Sequence, residues 1–143
     1  MTLGPELGVV HMPELQGVGH VALTVTDVKR SADFYNRLFE TETVFDGEDE
    51  YGPMMVNASS SMMFGFRRHS ATGDADRFDP ARVGLDHFGL HVADRRKLEE
   101  WRDRLDQQGV AHSGIVEDPH GLHLSFKDPD NIALEFFCMA APA

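Results

Sequence analysis

The sequence predicts an α+β protein made of two βαβββ modules, each a mixed sheet carrying a helix on one face. Three observations predict it. The chain repeats itself without a gap at an offset of 67 residues, each copy opens with strand-like alternation, and each opening is followed by an aspartate and an amphipathic helical pattern. In the repeat, GVGHVALTVTDVKRSADFYNRL (17–38) lies over GLDHFGLHVADRRKLEEWRDRL (84–105). Gly17/Gly84, His20/His87, Leu23/Leu90, Val25/Val92, Asp27/Asp94, Arg37/Arg104 and Leu38/Leu105 are identical pairs.

Residues 1–15, with Pro5, Gly8 and Pro13, read as an extended arm, and 16–143 as a single domain. The first module is expected over 16–67. Its first strand alternates His20, Ala22 and Thr24 with Val21, Leu23 and Val25, the period of a half-buried strand. Asp27 is a natural N-cap, and Phe34, Leu38 and Phe39 then recur at helical spacing as core. TETVFD, PMMVNA and SMMFGFR supply three further strands. The acidic stretch DGEDEYG (46–52) reads as a solvated hairpin or rim. Residues 68–83 are polar and turn-rich and form a connector.

The second module, 84–139, repeats the plan more cleanly. Phe88, Leu90 and Val92 alternate with His87, Gly89 and His91, Asp94 caps the helix, and Leu98, Trp101 and Leu105 line its buried side up to Gly109. HSGIV, GLHLSFK and IALEFFC follow, separated by the turns DPH and DPDN. Cys138, the one cysteine of the chain, reads as a small buried hydrophobe and rules out an intrachain disulfide.

Composition narrows the partners. Thirteen basic residues against 24 acidic ones give a net charge of −11, and no basic run exceeds two residues, which argues against nucleic acid and anionic membranes. No apolar run approaches a membrane span, and the N-terminus has neither a basic nor a sustained apolar leader segment, so a cytoplasmic protein is expected.

Alternation also assigns faces. If Val21, Leu23, Val25, Phe88, Leu90 and Val92 point at the helices, His20 and His87 point the other way. In IALEFFC the helix-side set is Ile132, Leu134, Phe136 and Cys138, which leaves Glu135 on the histidine face. A carboxylate in so apolar a strand is costly to bury without a partner. His20 alone would read as a structural histidine. Its equivalence to His87, with pseudo-twofold packing of the modules, points to convergence of His20, His87 and Glu135, a donor set suited to Zn, Mn, Ni or Fe(II).

The chain resembles the vicinal oxygen chelate superfamily of glyoxalase I, bleomycin resistance proteins, fosfomycin-modifying transferases and extradiol dioxygenases. HVALTVTDVKRSADFY, LDHFGLHVAD, the Gly109–Val110 pair and FKDPDNIALEFF carry the resemblance. It implies a glyoxalase-like fold whose sheets form a cup around a divalent metal, usually in a homodimer, with ligands on the first, fourth, fifth and eighth strands. His20, His87 and Glu135 match the first, fifth and eighth. At the fourth, alignment offers Gly65 or Arg68, neither a ligand, where glyoxalase I is expected to carry a glutamate. Ser125 stands where extradiol dioxygenases have a tyrosine, and Ala22 where fosfomycin transferases usually have a threonine.

A divalent metal with three protein ligands keeps positions for two neighbouring substrate oxygens and acts on them as a Lewis acid. Proton transfer beside it falls to His91 or His123, either of which could instead orient a ligand or serve the fold. Met54, Met55, Met62 and Met63 with Phe64 and Phe66 suggest an apolar wall, about half of it in the cup. The leading expectation is a metal-dependent lyase or isomerase acting on a small oxygenated metabolite. The alternatives are an Fe(II) dioxygenase at the same triad and a metal-free ligand-binding protein of the bleomycin-resistance type. Whether one chain or two supply the triad is left open by the sequence.

Overall fold

A computed structural model describes residues 11–140 of the chain. Residues 1–10 of the expected arm therefore lie outside the described residues, and 11–15 are exposed without helix or strand. The elements run β1 (Val21–Thr24), α1 (Val28–Phe39), β2 (Glu42–Asp49), β3 (Gly52–Ala58), β4 (Met63–Arg67), β5 (Phe88–His91), α2 (Arg95–Gln107), β6 (His112–Asp118), β7 (Gly121–Lys127) and β8 (Ala133–Met139). This is the α+β plan of two βαβββ modules. Each forms a four-stranded mixed sheet, ordered β1-β4-β3-β2 and β5-β8-β7-β6, in which only β1–β4 and β5–β8 are parallel.

Local chemistry explains the boundaries. The carboxylates of Asp27 and Asp94 accept from the amides of Arg30 (3.0 Å) and Lys97 (2.9 Å), filling otherwise unpaired donors at the helix starts. Beyond α2, Gly109 takes a left-handed φ of 69°, which a side chain would resist, and its neighbour Val110 donates back to Leu105 O. The acidic stretch forms the turn and flanking ends of a hairpin, as expected. Strand β2 continues to Asp49 and β3 starts at Gly52, because Arg67 grips the Asp49 carboxylate with both guanidinium nitrogens and stacks over the Tyr51 ring.

One core serves both modules. Leu23, Tyr35, Leu38, Phe64 and Phe66 of the first join Leu98, Leu105, Leu124, Leu134 and Phe136 of the second in a single buried cluster. Trp101 stacks on Phe136 at 4.4 Å between centroids, Phe39 meets Trp101 edge-on at 5.8 Å, and Phe64 meets Phe88 at 5.8 Å. Arg104 donates from Nε to Leu38 O (2.8 Å) and from Nη2 to Arg37 O (2.5 Å), tying α2 to the last turn of α1.

A polar clamp completes the joint. The turn before β8 holds Asp128 and Asp130, both buried. Asp130 accepts from the Thr26 amide and hydroxyl and from Arg30, whereas Asp128 accepts from Tyr35 Oη (3.0 Å) and from the amides of Asp130 and Ile132 (both 2.9 Å). The helix sides of both sheets are thus consumed by the shared core and clamp. The opposite faces, which carry the histidines, are turned outward.

Candidate functional site

Alternation delivers the histidines to those outward faces as expected. His20, Ala22, Thr24, His87, Gly89 and His91 are exposed, whereas Leu23, Val25 and Val92 are buried and Val21, Phe88 and Leu90 pack on the core. His20 and His87 each stand one residue before their strand, at the rim of a sheet.

The second module brings two of the three expected ligands together. His87 Nε2 lies 3.5 Å from Glu135 Oε1. Glu135 reaches the histidine across Gly89, its partner in the β5–β8 ladder, where an added Cβ would stand 3.4 Å from Oε1. Both side chains border a cleft of about 590 Å³ lined also by His112, Ser113, Ser125 and Lys127. On the far side of the ring, His87 Nδ1 is 2.6 Å from Asp86 Oδ1. That hydrogen bond raises the His87 pKa above its ordinary value and outweighs the opposing effect of burial, and the nearby Glu135 charge adds to the rise.

The donor chemistry fits a divalent cation. A carboxylate at Asp86 can only accept, so Nδ1 carries the proton of a neutral ring and Nε2 presents a lone pair to Glu135. Two acceptors facing each other are reconciled by a proton or by a cation. At 3.5 Å apart, these two side chains are close enough that both would hold one divalent ion between them.

His20 is not beside them. The cleft holds no residue of the first module, and among the described residues no group of three His, Cys, Asp or Glu side chains is placed to hold a metal. The physical reason is the shared core, which packs the helix sides of the two sheets and leaves their histidine faces separate within the chain.

Register resolves the fourth-strand position. Ala22 pairs with Gly65 in β1–β4 as Gly89 pairs with Glu135 in β5–β8, so Gly65 is the counterpart of Glu135. Arg68 lies beyond β4, and its guanidinium is engaged by Thr26 O, Asp74 and Thr72 O. Around Gly65, the face of His20 is apolar. Met54, Val56 and Met63 lie on it, while Met55 is buried on the helix side and Met62 packs there too.

His91 and His123 sit in one cross-strand row through Phe137, two residues (roughly 7 Å) from the row Gly89–Glu135–Ser125. His91 is exposed on that face. His123 Nε2 contacts Asp118 Oδ2 at 3.0 Å, and its buried Nδ1 has no partner among the described residues. Amides of His120 and Gly121 together with His123 hold the Asp118 carboxyl below its usual pKa. The sequence reading missed Asp86 and Asp118. The available signal for Asp86 was its adjacency to His87, whereas Asp118 reaches His123 only across the β6–β7 hairpin.

Comparison with known proteins follows the same plan. The model of the Glyoxalase/Bleomycin resistance protein/Dioxygenase superfamily matches residues 17–136. A glyoxylase/bleomycin resistance protein/dioxygenase domain from Frankia sp. EAN1pec is 31% identical, with a TM-score of 0.80, over 91% of this chain and 96% of that one. A glutamine-substituted FosX from Listeria monocytogenes, solved with Mn(II) and a dihydroxypropylphosphonic acid, shares the fold at 16% identity and a TM-score of 0.64 over 87% of this chain and 90% of that one. Among curated proteins, "Putative ring-cleaving dioxygenase MhqA" of Bacillus subtilis (strain 168) is 25% identical over 127 residues, which are 80% of this chain but 38% of that protein. The chain thus spans about two fifths of that relative.

Proposed function

Because the chain belongs to the Glyoxalase/Bleomycin resistance protein/Dioxygenase superfamily, we propose that it is a metal-dependent enzyme of lyase or isomerase type acting on a small oxygenated metabolite. The observation that carries this reading is the pair His87 Nε2 and Glu135 Oε1, 3.5 Å apart beside an open cleft. These two residues hold one side of a divalent metal, and His20 of the partner subunit supplies the third ligand. When bound, the ion supplies Lewis-acid polarisation of two adjacent substrate oxygens.

A symmetric dimer supports the third ligand. On the outward faces Phe45 (44% exposed), Met63 (41%) and Val116 (40%) stand in solvent in the single chain. Phe45 lies in the cross-strand row of Ala22 and Val116 in that of His91, while Met63 shares the face of Gly65 two residues away. A two-fold partner that sets one chain's first sheet against the other's second buries these side chains and brings His20 to His87 and Glu135 twice per dimer.

The chain's own residues divide the remaining work. Gly89 leaves the space through which Glu135 crosses to the site, and the apolar face around Gly65, Val56 and Met54 receives the substrate's hydrophobic part. His91, exposed in the row beside Glu135, is the residue assigned to proton transfer. His123, held by Asp118, orients the substrate or that proton relay.

A second reading, Fe(II)-dependent ring cleavage at the same ligands, draws on the likeness to the Bacillus subtilis protein. Elemental analysis of protein purified without a metal-affinity tag separates the two. Stoichiometric Zn or Ni supports the lyase or isomerase, Fe supports the dioxygenase, and a folded protein that takes up no added divalent metal refutes both in favour of a binding protein. His87→Ala and Glu135→Gln each lower metal content in either enzyme reading.

A further inference from the structure

We propose that Asp86 is a positioning residue that locks His87 in the Nδ1–H form, making the second module the preformed half of the metal site, while among the described residues the His20 half has no such lock. The inference rests on the reading of His87 as a metal ligand.

His87 presents its two ring nitrogens to two different carboxylates. Nδ1 meets Asp86 Oδ1 at 2.6 Å and Nε2 faces Glu135 Oε1 at 3.5 Å. Asp86 therefore stands on the edge of the ring away from Glu135 and does not share an ion with it. Its oxygen accepts, so it selects the tautomer whose lone pair is on Nε2 and fixes the ring plane that aims that lone pair at the cleft. In the absence of such a partner a neutral imidazole divides between two tautomers and rotates about its side-chain bonds, and only part of that ensemble presents Nε2 as an acceptor.

The internal repeat supplies the control. The residue before His20 is Gly19, in the position of Asp86, and it has no side chain to offer. An added Cβ at Gly19 would meet nothing within 4 Å, so space does not demand the glycine. Neither histidine is constrained by strand pairing, since both precede their strands, and the difference at the preceding residue is therefore the difference in how firmly each ring is held. The order of assembly follows from this. His87 and Glu135 of one chain would hold a divalent ion first, and His20 of the partner subunit would close on it afterwards.

Two readouts test the proposal in the full chain, using Asp86→Ala and Asp86→Asn. In metal-free protein, ¹⁵N imidazole spectra of wild type followed across a pH titration to its alkaline plateau should show His87 as Nδ1–H and His20 as a mixture. Asp86→Ala should lose the His87 bias and weaken Zn(II) affinity by roughly 10- to 100-fold. Asp86→Asn, whose side-chain oxygen still accepts, should keep the tautomer and recover most of the affinity. A wild-type His87 ring without tautomer bias, or Asp86→Ala with wild-type tautomer and Zn(II) affinity, overturns the proposal, as does Asp86→Asn behaving like Asp86→Ala. His87→Ala separates the two claims. If it too leaves Zn(II) affinity unchanged, the metal assignment fails, whereas the spectra report on the Asp86 lock regardless.

Discussion

Asp128→Asn should stabilise the protein in mildly alkaline solution and lose that advantage in acid. Asp128 is 6% exposed, at the joint between the modules, and accepts three hydrogen bonds, from Tyr35 Oη and two backbone amides. Those donors favour the carboxylate, yet burial outweighs them and lifts its pKa from 3.8 to about 6, with the neighbouring Asp130 charge adding to the rise. The raised value sets the sign. Protonated Asp128 contributes its stabilisation fully below about pH 4, and that contribution is lost as pH rises through about 6. The complete difference is worth about 3 kcal/mol. In the amide variant Oδ1 continues to accept from the Asp130 and Ile132 amides, and Nδ2 meets the Tyr35 hydroxyl, which turns to accept. Urea unfolding followed by the single tryptophan, Trp101, which stacks on Phe136, reports both modules at once. At about pH 8 the variant should be more stable than wild type by about 1–3 kcal/mol, and at about pH 4 the two should agree within about 0.5 kcal/mol. A variant less stable than wild type at about pH 8 would show instead that the three donors outweigh burial.

The remaining predictions concern the joint, the hairpins and the site. Arg104→Ala removes both donors to the last carbonyls of α1 and should lower stability by about 1–2 kcal/mol in the same unfolding assay, with Arg104→Lys recovering part of it. Gly121→Ala should cost about 2 kcal/mol or more, since Gly121 has a φ of 147° and a Cβ there would run into the Cys138 carbonyl. Gly89→Val should leave the fold intact by circular dichroism and lower Zn(II) affinity by roughly 10-fold or more, because the branched side chain takes the path by which Glu135 reaches His87.

Local chemistry made most of the fold legible in the sequence. Asp27 and Asp94 announce their helices, and the alternation around His20 and His87 assigns faces because an apolar row must be buried and a polar row must not. Glu135 was legible for the same reason, as a carboxylate out of keeping with Leu134 and Phe136 on either side. What the sequence withheld depends on pairing and packing. Whether Gly65 or Arg68 is the counterpart of Glu135 is fixed by strand register, which a three-residue change in a turn can shift unseen. The separation of His20 from His87 follows from Phe39, Trp101 and Phe136 meeting between the modules, and no periodicity encodes which way two amphipathic sheets stack. The repeat revealed that the histidines are equivalent, but equivalence is satisfied as well by a two-fold axis between chains as by one within a chain.

Subunit exchange tests the shared metal site most directly. His20→Ala and His87→Ala proteins, each stripped of metal and shown to bind little Zn(II) alone, are mixed, exchanged under mild denaturant and titrated again. If His20 of one chain completes the site of the other, each mixed dimer regains one intact site, and a random mixture recovers about a quarter of the wild-type Zn(II) capacity. If the mixture binds no more Zn(II) than its parents while mixed dimers are present, the two histidines do not meet across the dimer, and the proposed centre is wrong.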